Sequence, residues 1–145
     1  MFNNLKETIY RINYLTEEID SLYHQAALKL GISDSVLFVL YMIHTNEGKC
    51  PLYDIYKLSG ISKQTINSAV RRLESEGVVY LEKYGGKSKL VFLTESGKEY
   101  AKKTAGRLFE AECGAFGSWT SEEISLYLSL IEKHTTSLRN EINKM

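Results

Sequence analysis

Between Leu52 and Leu93 two short helical patterns meet at Ser59-Gly60-Ile61 and run directly into a glycine-tipped β pattern. The first pattern follows Pro51, a residue suited to a helix's first turn because its missing N–H is no loss there. It expects Leu52, Ile55 and Leu58 to be buried. The second runs from Ser62 to Glu76 and is closed by Gly77. Ser62 is a good N-cap, and Ile66, Ala69, Val70 and Leu73 share one face at i, i+3, i+4 and i+7. The opposite face holds Gln64, Ser68, Arg71 and Ser75, with Asn67 and Arg72 on its flanks. It is polar and uncharged at its start, cationic later, and acidic only at Glu74 and Glu76. The runs Val78–Lys83 and Lys89–Leu93 are β-rich. Tyr84-Gly85-Gly86-Lys87 between them reads as a hairpin turn, because two glycines accept positive φ angles. Helix, tight turn, helix and basic hairpin in that order suit a nucleic acid duplex better than a small substrate.

The remaining chain predicts more helix. Leu5, Ile9, Ile12, Ile19, Leu22, Tyr23, Ala26 and Leu30 recur at helical spacing, predicting a helix over about 4–30 that Gly31 ends. Ser33 caps a second helix carrying Val36, Leu37, Leu40, Tyr41 and Ile43, and Asn46-Glu47-Gly48-Lys49 reads as a loop. Thr94 caps a long helix predicted to reach Gly114. Thr120-Ser121-Glu122-Glu123 is a capping box with Trp119 and Ile124 placed as a hydrophobic staple. The last helix, to about Asn143, repeats Ile124, Tyr127/Leu128, Ile131, Leu138 and Ile142. The apolar stripes of the two long terminal helices need a cover, and pairing with a second copy is the economical one.

A length of 145 residues fits one domain. No apolar run approaches the roughly 20 residues of a membrane-spanning helix, and no leader pattern is seen at the N-terminus, so a cytoplasmic protein with no membrane partner is expected. The formal net charge is zero, but its distribution is not even. Residues 57–107 hold 11 Lys/Arg against 5 Asp/Glu, whereas residues 1–56 hold 4 against 7 and residues 108–145 hold 3 against 6. The basic excess therefore falls on the segment with the two-helix pattern. No phosphate-binding glycine loop, nucleophile elbow or His-Glu-x-x-His is present, so no enzyme, catalytic residue, cofactor or metal site is expected. His24, His44 and His134 lack ligand spacing. Cys50 and Cys113 suggest no disulfide framework. Cys113 reads as a small buried hydrophobe or a redox switch, and Cys50, at a helix start, as a thiol of lowered pKa.

The order of elements is similar to that of the MarR family of bacterial transcription regulators. The segments Gly60–Asn67, Arg72–Val79 and Ser88–Gly97 carry the resemblance. It implies a mainly α (α+β) fold: a winged helix-turn-helix over 34–98, with long terminal helices over 1–31 and 99–145 forming a dimerisation region within a single 1–145 domain. It implies a homodimer on a pseudo-palindromic operator in double-stranded DNA, usually repressing, often released by a small phenolic or other apolar effector. The second helix of the motif enters the major groove and the wing the adjacent minor groove.

Ser62, Lys63, Gln64, Thr65, Asn67, Ser68, Arg71 and Arg72 are then the expected DNA-contacting residues on the helix, and Lys83, Lys87 and Lys89 on the wing. Gln64, Ser68 and Arg71 are favoured as base readers, and Lys63, Thr65 and Arg72 as phosphate clamps. Tyr14, Tyr23 and Tyr41 are candidate effector-pocket residues. The family's wing commonly carries an acidic residue and two arginines where this chain has Gly85-Gly86-Lys87. Lysine lacks the planar guanidinium fork, so most discrimination is expected on Gln64 to Arg71. The rival reading is a winged helix for protein or RNA contact; a protein-binding face should carry large apolar or aromatic anchors.

Overall fold

The computed structural model describes residues 2–83 and 85–145. In chain order these form α1 (Phe2–Leu30), α2 (Asp34–Thr45), β1 (Lys49–Pro51), α3 (Leu52–Ser59), α4 (Lys63–Ser75), β2 (Val79–Lys83), β3 (Lys89–Leu93), α5 (Glu95–Lys103), α6 (Ala105–Phe116) and α7 (Ser121–Ile142). The fold is mainly α with one small antiparallel sheet of order β1-β3-β2. Two compact units are present, Met1–Phe109 and Glu110–Met145.

The first unit builds its core where three amphipathic faces meet. From α2 come Val36, Leu37, Val39, Leu40 and Ile43; from α4 come Ile66, Ala69, Val70 and Leu73; the sheet adds Cys50, Val79, Val91 and Leu93. Ile55 of α3 and Ala101 and Ala105 beyond the sheet complete it. The helix starts follow the expected caps. Ser33 Oγ accepts from Val36 N, Ser62 Oγ from Thr65 N at 3.2 Å, and Thr94 Oγ1 from Gly97 N at 2.9 Å. Only the C-terminal end of α1 joins this core, through buried Ala27 with Ala26 and Leu30 against it.

Two glycines are obligatory for different reasons. Gly60 ends α3 at φ 61°, the left-handed turn that redirects the chain into α4. Gly97 has helical backbone, but a Cβ there would lie 1.9 Å from the Val78 carbonyl oxygen. That absence of a side chain lets α5 start hard against the backbone leading into β2. Thr94 Oγ1 strengthens the junction by donating to the Gly77 carbonyl at 2.6 Å.

The helices and strands depart from sequence expectation in four places. Lys49 is not loop: Lys49–Pro51 pairs with β3 in the register Lys49↔Phe92, Cys50↔Val91, Pro51↔Leu90. Such a three-residue strand is specified by its partner, not by its own composition. Pro51 accordingly has extended backbone, ψ 132°, and stands before the first turn of α3 instead of inside it. The helix predicted from Thr94 to Gly114 is broken at Thr104 and continues to Phe116. Thr104 Oγ1 donates to the Tyr100 carbonyl at 2.8 Å, the i−4 back-bonding that bends helices. Its φ −117° and ψ −87° lie outside the helical region. Leu58, expected in the core, is exposed: it lies in the last turn of a two-turn helix whose buried residue is Ile55.

In the second unit, Phe116, Trp119 and Tyr127 form an aromatic cluster with centroid separations of 5.0–6.2 Å. The Trp119 ring packs on Phe116 and Tyr127 while the capping box forms as expected. Thr120 Oγ1 accepts from Glu123 N at 3.1 Å, and Glu123 Oε1 accepts from Thr120 N at 2.9 Å. No residue of α7 is buried.

Candidate nucleic-acid interface

Burial of the Ile66, Ala69, Val70 and Leu73 row turns the rest of α4 outward. Ser62, Lys63, Gln64, Thr65, Ser68, Arg71 and Arg72 are all exposed, and Asn67 is half-buried. The wing starts beside them. β2 and β3 pair from Val79↔Leu93 to Lys83↔Lys89, and Gly85 and Gly86 at the tip take φ of 54° and 64°. Lys83, Lys87 and Lys89 are exposed on this hairpin. Stacking of Tyr80 on Phe92, centroids 5.1 Å apart, stiffens its base.

A groove of about 950 Å3 opens between α3, α4 and the wing. Lys63, Asn67 and Arg71 line it from α4, and Lys87 and Lys89 from the wing. Asp54 and Glu74 also reach it, so it is not uniformly cationic. Pro51, Leu52, Tyr53, Tyr56, Val70 and Leu81 make much of the lining apolar or aromatic. The expected residues therefore fall into two sets. Lys63, Asn67, Arg71, Lys87 and Lys89 share the groove, whereas Ser62, Gln64, Thr65, Ser68, Arg72 and Lys83 are not among its lining.

Several of these side chains have hydrogen bonds of their own. Ser62 and Thr65 bond to each other at 2.8 Å as part of the cap. Ser68 Oγ donates to the Gln64 carbonyl at 3.0 Å. Arg71 Nε donates to the Asn67 carbonyl at 3.4 Å. Arg72 Nε donates to Glu76 Oε1 at 3.0 Å, an exposed i,i+4 pair of small energetic weight.

Tyr56 is the residue that sequence reasoning missed. Its hydroxyl donates to Asn67 Oδ1, and the Lys63 ammonium lies 5.0 Å from its ring centroid. The signal was present in the spacing. Ile55 and Ile66 are both fully buried, and Tyr56 and Asn67 are the next residue after each, so both flank the same α3–α4 contact. Burial pushes the Tyr56 hydroxyl above the ordinary tyrosine range, opposed by the Asn67 bond and the Arg71 charge.

Of the three tyrosines expected near an effector, two stand on α1 and one on α2. Tyr14 and Tyr23 lie on the exposed part of α1, nine residues and so about 13 Å apart along the axis. Tyr41 is half-buried against the α2 core. Cys50 reverses its expectation. It is buried on β1, facing Val91, and desolvation with the nearby Asp54 carboxylate raises its thiol pKa to about 11. Cys113, expected as a small buried hydrophobe, is exposed. Among the described residues no three His, Cys, Asp or Glu side chains are grouped to hold a metal. No single helix among them is long and apolar enough to cross a membrane.

A sequence model of the MarR family matches residues 30–86, the stretch from the end of α1 to the wing tip. Over this stretch the chain is similar to the MarR family. The MarR-type architecture extends well beyond that segment. A MarR family regulator from Neisseria meningitidis superposes with a TM-score of 0.77 at 20% identity, covering 97% of each chain. A MarR family protein from Listeria monocytogenes, complexed with a 26mer DNA, gives 0.67 at 19% identity over 92% of this chain and 89% of that one. NadR, in complex with 4-hydroxyphenylacetate, gives 0.67 at 15% identity over 86% and 89%. At these identities the likeness is one of fold. No curated protein matches the chain by sequence.

Proposed function

We propose that the chain is a sequence-specific DNA-binding transcriptional regulator, acting as a homodimer on a pseudo-palindromic operator and repressing in the absence of an effector. The exposed face of α4 is the observation that carries this reading. Gln64, Ser68 and Arg71 present amide, hydroxyl and guanidinium groups with no large apolar anchor among them. These are the groups that pair with base edges in a major groove. Beside them the groove cations Lys63, Lys87 and Lys89 suit phosphate. Ser62, Thr65 and Asn67 contribute further donors at the helix start, and Arg72 and Lys83 extend the cationic margin.

The dimer is supported by unpartnered apolar rows. On α1, Leu5, Ile9, Ile12, Leu15, Ile19 and Leu22 are each 43–55% exposed. On α7, Ile124, Leu128, Ile131, Leu138 and Ile142 are each 40–56% exposed. A second copy that covers these rows also supplies the two-fold symmetry a pseudo-palindrome requires. The effector is proposed as a small phenolic or other apolar molecule, supported by the NadR complex, with Tyr14, Tyr23 and Tyr41 as its candidate contacts.

The test is titration of the full chain into labelled duplexes, followed by anisotropy at several salt concentrations. Binding that weakens steeply with salt, and is tighter for an in vitro selected duplex than for mixed sequence, is expected. Absence of salt-sensitive duplex binding would overturn this reading in favour of a protein-contact module.

A further inference from the structure

Asn67 and Arg71 stand one turn apart on α4 and line the same groove as the wing lysines. A free asparagine amide reads adenine with both its groups: the carbonyl accepts from N6 and the NH2 donates to N7. In this chain a partner takes one of the carbonyl oxygen's two lone pairs and fixes its direction. The Tyr56 hydroxyl, reaching from α3, donates to Asn67 Oδ1. A phenol keeps its proton at neutral pH and remains a donor. With its oxygen held toward α3, Asn67 offers the groove its NH2.

We propose that Tyr56 is a positioning residue for sequence specificity: by holding the Asn67 carbonyl toward α3 it turns the amide so that Asn67 meets the groove with its NH2. This deepens, and rests on, the DNA-binding reading above. A reader turned this way pairs with an acceptor on a base edge, guanine N7 or O6, adenine N7 or thymine O4, and gives up the two-point fit that favours adenine. Arg71, one turn further on, carries donors only. Two donors in succession favour an acceptor-rich edge, so guanine is the expected base opposite Asn67. The same tyrosine ring supports Lys63 through a cation–π contact. The start of α4 is thus held from α3 at both a charge and a base-reading position.

The experiment is parallel in vitro selection of bound duplexes by the full-length parent, Tyr56→Phe, Asn67→Ala and the double variant. Tyr56→Phe keeps the ring, and with it the packing and the Lys63 contact, while removing only the hydroxyl. The parent is expected to select guanine or thymine at one position of each half-site. Tyr56→Phe should shift that position toward adenine by roughly tenfold, the scale of one bidentate contact. In the Asn67→Ala background the hydroxyl removal should change nothing at that position.

Three results overturn the assignment alone. The first is an unchanged preference in Tyr56→Phe. The second is an adenine gain that persists without Asn67. The third is a uniform loss of affinity in Asn67→Ala with no change in base preference, which would put Asn67 on a phosphate. A parent that selects no motif at all overturns the DNA reading and this assignment together.

Discussion

The apolar rows of α4 and α7 follow the same spacing and meet opposite fates. In α4, Ile66, Ala69, Val70 and Leu73 are each no more than 4% exposed, covered by α2, α3 and the sheet of the same chain. In α7, Ile124, Ile131, Leu138 and Ile142 are 40–54% exposed. A helical stripe therefore specifies that a cover is needed without saying which chain supplies it. For α4 the chain does. For α7, and for α1 over most of its length, a second copy is the proposed cover. On the proposed reading that division has a use, because the DNA-reading head would be folded by one chain and the two-fold symmetry supplied by two.

The comparison can be broken most forcefully in the α4 environment. Leu40→Ala removes a fully buried side chain of α2 that belongs to the same core, and should cost about 2–5 kcal/mol. Urea denaturation should show the same loss at every protein concentration. Ile131→Glu tests the other side. Burying one isoleucine is worth ~1.5–3 kcal/mol and a two-fold pair counts it twice. A shift of the dimer constant by at least about a hundredfold, seen by sedimentation, is expected. If Ile131→Glu leaves the assembly unchanged, α7 is not in the interface.

Within α4 the outward face should behave unlike the inward one. Arg71→Ala should leave thermal stability unaltered and weaken operator binding by about 1–3 kcal/mol, relaxing specificity at one position. An unchanged affinity would remove Arg71 from the interface. The caps are a smaller effect. Ser62→Ala and Thr120→Ala should each cost ~1 kcal/mol of stability, one in each unit.

The smallest effect is alkaline. The Cys50 thiol is held protonated in the fold to about pH 11, against 9.0 for an ordinary cysteine. Below pH 9 both states keep the proton and the fold loses nothing. Above it the unfolded chain gains by ionising while the buried thiol cannot. Stability should therefore fall between about pH 9 and pH 11, and Cys50→Ala should remove that part of the slope. A thiol reagent at neutral pH should modify Cys113 at once and Cys50 only on unfolding.

The helices, their caps and the wing were legible because each rests on local physics. Ser33, Ser62, Thr94 and Thr120 cap with their own hydroxyls, and the i, i+3, i+4 rows need no knowledge of a partner. The outward face of α4 followed from the inward one by geometry alone. What could not be read locally depended on contacts distant in sequence. β1 exists only because β3 pairs with it, and it carries Cys50 into the core, so that desolvation reverses the thiol's expected shift. The break at Thr104 arises where one hydroxyl back-bonds in competition with helical continuity.

The sequence by itself determined that an amphipathic helix-turn-helix and a basic hairpin stand in series, and that both chain ends carry stripes needing cover. Only the tertiary structure decided that Tyr56 meets Asn67. Eleven residues separate them, on different helices, and the hydrogen bond forms because Ile55 and Ile66 pack α3 and α4 into the same core.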